Sequence, residues 1–191
     1  MGQENKLVAV DITSNYPKEA KELPSIGYVR ALSAEGVLSL SPTLILGEDD
    51  TGPAAVIEQL SRVGIQIEII PEENTANGII KKVKCVAEIL GVDSIIKDKT
   101  LNNLNAVAKE LKLLSETNKK EPPKVMFILS MESGSPTVGG VDTSAHGLIK
   151  MTGAINVMDS FEGWKPVSTE AIIQAKPDFI LISERGLNSF G

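Results

Sequence analysis

At 191 residues, with 42% hydrophobic and 23% charged side chains, the chain carries enough apolar material for one good core or two small ones. A net charge of -6 and a sequence pI near 4.9 argue against nucleic acid or an anionic membrane surface as partner. One histidine and one cysteine exclude a multi-imidazole metal cage and a disulfide within the chain.

Leu7 to Val10 is a short β-rich run closed by Asp11 and a Thr13-Ser14-Asn15-Tyr16-Pro17 loop. Lys18 to Leu23 predicts a short helix stopped by Pro24. The stretch from Ile26 to Leu40 is the most informative. Gly27 precedes an aromatic, Tyr28, and a cation, Arg30, follows two positions later. Ser33-Ala34-Glu35 opens a helix, with a serine able to cap it and a glutamate where the helix dipole favours an anion. An exposed phenol with a guanidinium in reach suits a flat, anionic, metal-bearing ligand. The cation lowers the cost of ionising the phenol, and a phenolate is a hard oxygen ligand for ferric iron. The same spacing also fits a ring packed on its loop beside a solvated arginine, and both readings stand at this point.

Pro42 to Gly47 predicts a buried strand, Glu48-Asp49-Asp50-Thr51-Gly52-Pro53 a solvated loop, and Ala54 to Val63 a helix ended by Gly64. Ile65 to Ile70 alternates as a strand does, and Thr75 to Leu90 carries apolar residues at helical spacing, with Cys85 expected as a small buried thiol. This alternation argues for a doubly wound α/β sheet. Asp93 to Asn118 reads as one long helix, a stiff connector stopped by Pro122-Pro123. Lys124 to Ser130 begins a new strand, Gly134, Gly139 and Gly140 mark a turn region, and Thr143-Ser144-Ala145-His146 opens a helix to Met151. Phe161 to Pro166 predicts a loop, Ser168 to Ala175 a helix and Pro177 to Ile182 a strand. The organisation expected is therefore an N-terminal lobe over 1–92, a connecting helix over 93–121 and a C-terminal lobe over 122–191. No run approaches the length of a membrane span. The first residues lack a signal peptide's basic start and apolar core, which says nothing of where the natural protein resides.

Leu32 to Leu46 overlays Val167 to Leu181 without a gap, matching Ser33 with Ser168, Glu35 with Glu170, Pro42 with Pro177 and Ile45 with Ile180. Apolar positions coincide too, Val37 with Ile172 and Leu38 with Ile173 among them. Two related lobes follow, with a cleft expected between them, since ligands collect outside the carboxyl ends of strands in open α/β sheets. In the same overlay Tyr28-Val29-Arg30 meets Gly163-Trp164-Lys165, so Tyr28 and Trp164 offer flat surfaces while Arg30 and Lys165 offer charge for carboxylates. His146 opens a second-lobe helix, where it serves as a ligand contact or merely as a solvated cap residue. There is no nucleophile elbow, Walker loop or dinucleotide glycine fingerprint, so a binding protein is expected rather than an enzyme.

The run Gly27-Tyr28-Val29-Arg30-Ala31-Leu32-Ser33-Ala34-Glu35-Gly36-Val37-Leu38-Ser39-Leu40, with Asp11 to Pro17 before it and Phe161-Glu162-Gly163-Trp164-Lys165-Pro166 far downstream, resembles the haem-binding (haemin) substrate-binding proteins of bacterial haem ABC importers. Broader relatives bind cobalamin and ferric siderophores on the same scaffold. The resemblance implies two Rossmann-like lobes joined by a long backbone helix, the class III periplasmic-binding-protein arrangement, and a periplasmic or cell-surface location. It implies haem as the bound cofactor, Tyr28 as axial iron ligand and Arg30 as the hydrogen-bonding cation that keeps its phenolate ionised. Glu35 and Glu170 would dock, one per lobe, on the membrane permease, although a glutamate that only satisfies a helix dipole reads the same way. Some relatives add a second-lobe histidine to the iron or to a second haem, but the register does not identify His146 with it, and a helix-start histidine that caps or is solvated reads the same way. Similar proteins carry a further strand and helix before Leu7 and continue beyond Gly191, so the chain is expected to be truncated at both ends. Uncovered strand edges would then favour a homo-oligomer and altered ligand binding.

Overall fold

The computed structural model describes residues 1–118, 120–132 and 134–188. Packing divides the chain into two compact units, Met1–Glu72 with Lys81–Leu101 and Glu73–Ile80 with Asn102–Gly191. Two helices contribute to both: α3 (Ala76–Ile89) and α4 (Ser94–Asn118). The predicted long helix is thus one continuous element of 25 residues. Gly91, at φ 61°, separates it from α3, a backbone conformation that side-chain-bearing residues avoid.

The first unit is built on two parallel strands, β1 (Leu44–Gly47) and β2 (Gln66–Ile69), in register from Leu44 opposite Gln66 to Gly47 opposite Ile69. The crossover between them is α2 (Ala54–Arg62), preceded in the chain by α1 (Ala34–Leu38). Ala34, Val37 and Leu60 from these helices are buried and pack with Ile45 and Ile67 of the strands and Val56 and Ile65 beside them. The expected strand over Leu7 to Val10 does not form. It is reduced to a single parallel bridge between Val10 and Ser25, because Pro24 beside the bridge has no N–H with which to extend a ladder. Lys18–Glu22 is a 3-10 turn rather than an α-helix. Cys85 is half-buried, not enclosed as its apolar neighbours suggested.

In the second unit, β3 (Lys124–Glu132) is the central strand. It pairs antiparallel with β4 (Ser135–Gly139) and parallel with both β5 (Ile155–Asn156) and β7 (Phe179–Ile182), while β6 (Trp164–Pro166) pairs antiparallel with β4. Two expectations are corrected here. The glycine-bearing segment after β3 contains a strand rather than only turns, and part of the Phe161 to Pro166 loop is the strand β6. The reason is close approach: a Cβ on Gly139 would lie 2.8 Å from the Ala145 Cβ and 3.0 Å from Trp164 Cζ3, so glycine there admits the neighbouring helix and the indole rather than breaking the strand. Helices α5 (Ser144–Met151), α6 (Thr169–Ala175) and α7 (Glu184–Asn188) complete the unit. Met126, Ile128, Val138 and Met158 form its main core, and Val125, Ile149 and Ala154 a second one. Along β7, Phe179, Ile180, Leu181 and Ile182 are all exposed, so both faces of that strand are open.

The internal repeat is realised as repeated local structure. The Ser33 hydroxyl accepts from the Gly36 N–H at 3.0 Å and the Ser168 hydroxyl from the Ala171 N–H at 3.2 Å, so both copies start a helix with the same cap. Val37 is buried and Ile172 packs on the core, whereas Leu38 and Ile173 both face outward. A third cap does more. The buried Thr143 hydroxyl accepts from the His146 N–H at 3.1 Å and donates to the Gly140 carbonyl at 2.7 Å, tying α5 to the end of β4. Thr143→Val keeps the shape and removes the hydroxyl. It is expected to cost about 1–2 kcal/mol, read as a lower urea midpoint with unchanged slope.

Candidate functional site

Tyr28 lies in the first unit. Gly27 precedes it at φ 86°, in open space, and a 3-10 turn over Val29–Ala31 follows, so the phenol projects from a bend and is 42% exposed. The turn is anchored on both sides: Ile12 donates its N–H to the Gly27 carbonyl, Gly52 to that of Val29, and Leu32 to that of Gly52. The backbone that carries the tyrosine is thus held in place from both sides.

Arg30 sits in the same turn, and its Nε and Nη2 reach Asp50 Oδ2, both at 2.9 Å. The hydrogen bond that Arg30 donates to Asp50, then charge interaction with Tyr28 and with Asp50, raise the guanidinium pKa above its ordinary value. Arg30 therefore stands within electrostatic reach of the phenol while a carboxylate orients it. The loop that carries Asp50 was expected to be merely solvated, and it is not. Beside Asp50 pairing with Arg30, Glu48 forms an ion pair with Lys82, which also lies 3.9 Å from Glu72. Burial, then the neighbouring Glu48 carboxylate, push the Glu72 carboxyl above its usual range. Sequence reasoning missed Asp50. The one available signal was an unpaired arginine near a conspicuous acidic run, and spacing does not choose among three acidic residues. A groove of about 690 Å³ in this unit is lined by Glu48, Asp49, Thr51, Ile57 and Ile69 among others, but by neither Tyr28 nor Arg30.

The second unit holds Trp164, Lys165 and His146. Trp164 follows Gly163, at φ 76°, and meets Phe127 edge to face with ring centroids 6.0 Å apart, leaving the indole 37% exposed. Lys165 Nζ lies 5.2 Å from the centre of the Phe161 ring, a cation–π contact that keeps its charge close to the strand. His146 is half-buried in the first turn of α5, and its Nδ1 lies 3.3 Å from Asn156 Nδ2. Gly139, the strand partner of Trp164, accepts from the same Asn156 amide at 2.9 Å. Trp164 and Lys165, consecutive on β6, leave the sheet on opposite faces, the indole toward Phe127 and the ammonium toward Phe161, while His146 is linked through Asn156 to the Gly139 that pairs with Trp164. The match between Tyr28-Val29-Arg30 and Gly163-Trp164-Lys165 does not extend to backbone form, a 3-10 turn in one copy and a strand in the other.

Glu35 and Glu170 occupy equivalent first-turn positions of α1 and α6, and both are exposed. Its own backbone N–H, then the Ser168 hydroxyl, hold the Glu170 carboxyl below its ordinary range. Among the described residues no group of three His, Cys, Asp or Glu side chains is placed to hold a metal ion, and no helix is long and apolar enough to cross a membrane.

A two-unit α/β chain with a long helix shared between the units, and with exposed aromatic, cationic and acidic side chains at its loop and helix starts, has the build of a solute-binding protein. The chain belongs to the family described as Periplasmic binding protein, whose profile matches residues 1–190. Among solved structures it is similar to the periplasmic heme-binding protein RhuT from Roseiflexus sp. RS-1 in apo form, at 33% identity and a TM-score of 0.83, covering 96% of this chain and 70% of that one. It is also similar to the periplasmic Heme binding protein HutB of Vibrio cholerae, at 35% identity and a TM-score of 0.79, covering 100% of this chain and 72% of that one. A curated relative, the Vitamin B12-binding protein of Vibrio vulnificus (strain YJ016), is 26% identical over all 191 residues, which span 68% of it. Against another curated relative the chain spans 59% of the length.

Proposed function

We propose that this chain binds haemin through Tyr28 and serves as the extracytoplasmic substrate-binding protein of an ABC importer. The observation that carries the reading is the exposed phenol on an anchored bend, with Arg30 in the turn that follows it and bound to Asp50. A phenolate is a hard anionic donor matched to ferric iron, and an adjacent cation favours that ionised form. The Trp164 face and the His146 ring are groups of the kind a flat macrocycle with carboxylates engages, whereas the Lys165 ammonium lies on the other face of β6, over Phe161. The two solved relatives, heme-binding proteins at 33% and 35% identity, support the same ligand. Glu35 and Glu170, matched in sequence, cap and exposure, are proposed to dock on basic sites of the permease.

A second reading, cobalamin as ligand, draws on the curated relative named for vitamin B12, in which case the aromatic and cationic groups would contact the ligand without an iron bond. Parallel titrations with haemin and cyanocobalamin, followed by visible absorption and by protein fluorescence, separate the two. Haemin is expected to give a saturable new band that excess cobalamin does not displace. Saturation by cobalamin alone would replace the haem assignment with the second reading.

A further inference from the structure

We propose that Asn156 is a positioning residue that holds His146 as its Nε2–H tautomer, so that the only imidazole in the chain offers a hydrogen-bond donor to an anionic oxygen rather than a lone pair to a metal. Asn156 is 1% exposed, at the end of β5, and every polar atom of its side chain is engaged. Its Oδ1 accepts from the Met158 N–H at 3.1 Å, and its Nδ2 donates to the Gly139 carbonyl at 2.9 Å and faces His146 Nδ1 at 3.3 Å.

This arrangement fixes which way round the amide sits. Flipping it would set Oδ1 against the Gly139 carbonyl and Nδ2 against the Met158 N–H, two like-polarity contacts in a buried place where unsatisfied groups are costly. With the amide so oriented, its second N–H points at His146 Nδ1, which must supply a lone pair. A neutral imidazole then carries its proton on Nε2. The backbone from which the ring springs is held at the start of α5, where the His146 N–H is bound by the Thr143 hydroxyl. Coordination of a metal by Nε2 would require the proton to sit on Nδ1, directly opposite the Asn156 N–H. In metal sites the group bonded to the far ring nitrogen is normally an acceptor, a carboxylate or carbonyl, and here it is a donor. An iron-ligand role of the kind some relatives give a second-lobe histidine is thereby set aside for His146 in favour of that of a donor to a ligand carboxylate. That last step rests on the haemin reading, but the tautomer does not.

Because the chain has a single histidine, the test needs no assignment. The ¹⁵N-labelled protein, freed of any affinity tag, is examined by two-bond ¹H–¹⁵N correlation across a series of alkaline buffers until the ring signals no longer change. The expected pattern is an unprotonated, pyridine-like Nδ1 and a protonated, pyrrole-like Nε2. A reversed pattern, or the averaged shifts of a freely exchanging imidazole, would overturn the proposal without touching haemin binding. Asn156→Asp puts an acceptor opposite Nδ1 and is expected to reverse the tautomer. Should that variant not fold, the spectrum of the unaltered chain decides by itself. Loading with diamagnetic gallium(III) protoporphyrin is expected to leave the Nε2 proton in place, and its loss on loading would refute the donor role. Failure of the porphyrin to bind would instead count against the haemin reading, with the tautomer still read from the free protein.

Discussion

Tyr28→Phe is expected to abolish the visible band of the haemin complex and to weaken haemin binding about a hundredfold, near 2.7 kcal/mol. Phenylalanine keeps the ring, and hence its contact area, while removing the only atom able to bond iron from that position. The difference therefore isolates the oxygen. Tyr16→Phe supplies the control, because Tyr16 is the only other tyrosine and is 91% exposed with no cation paired beside it among the described contacts. Arg30→Gln should fall between the two, with binding about tenfold weaker, since a charge-assisted hydrogen bond is replaced by a neutral one. Optical titration of the four proteins settles the matter. An unaltered spectrum for Tyr28→Phe would leave the phenolate with no part in ligand binding.

Leu60→Ala is expected to lower stability by about 3 kcal/mol, through lost transfer energy and the cavity left among Ala34, Val37 and Ile45. Leu60 is fully buried, with 0% exposure, and joins α2 to the sheet of the first unit. The turn that bears Tyr28 is bonded to Gly52, one residue before the Pro53 that leads into α2, so loss of this core is expected to weaken haemin binding as well. Leu60→Met, which nearly conserves volume, should cost under about 1.5 kcal/mol. Urea denaturation of the three proteins provides the measurement, and equal midpoints for Leu60→Ala and the parent would place the core elsewhere.

Much of the architecture was legible because it is written at short range. Apolar residues at helical spacing marked α3 and α4, alternation marked β2, and a serine three residues before an amide it could cap marked both α1 and α6. The repeat was readable for the same reason, since caps and inward-facing positions recur at matching places in the chain. Where the reading missed, a distant partner was in control. Leu7 to Val10 has the composition of a strand, yet the segment opposite it offers proline. Gly139 looks like a turn residue until Ala145 and Trp164 are seen to crowd it.

The sequence by itself determined the periodicities, the caps, the matched pair Glu35 and Glu170, and the candidacy of Tyr28 with Arg30, because each depends on residues within a turn or two of one another. Only the tertiary structure decided that Asp50 rather than Glu48 or Asp49 takes Arg30, and that Asn156 turns its amide toward His146. Both pairings are made across loops and strands by side chains 20 and 10 positions apart. Their geometry comes from strand register and packing, which local spacing does not encode.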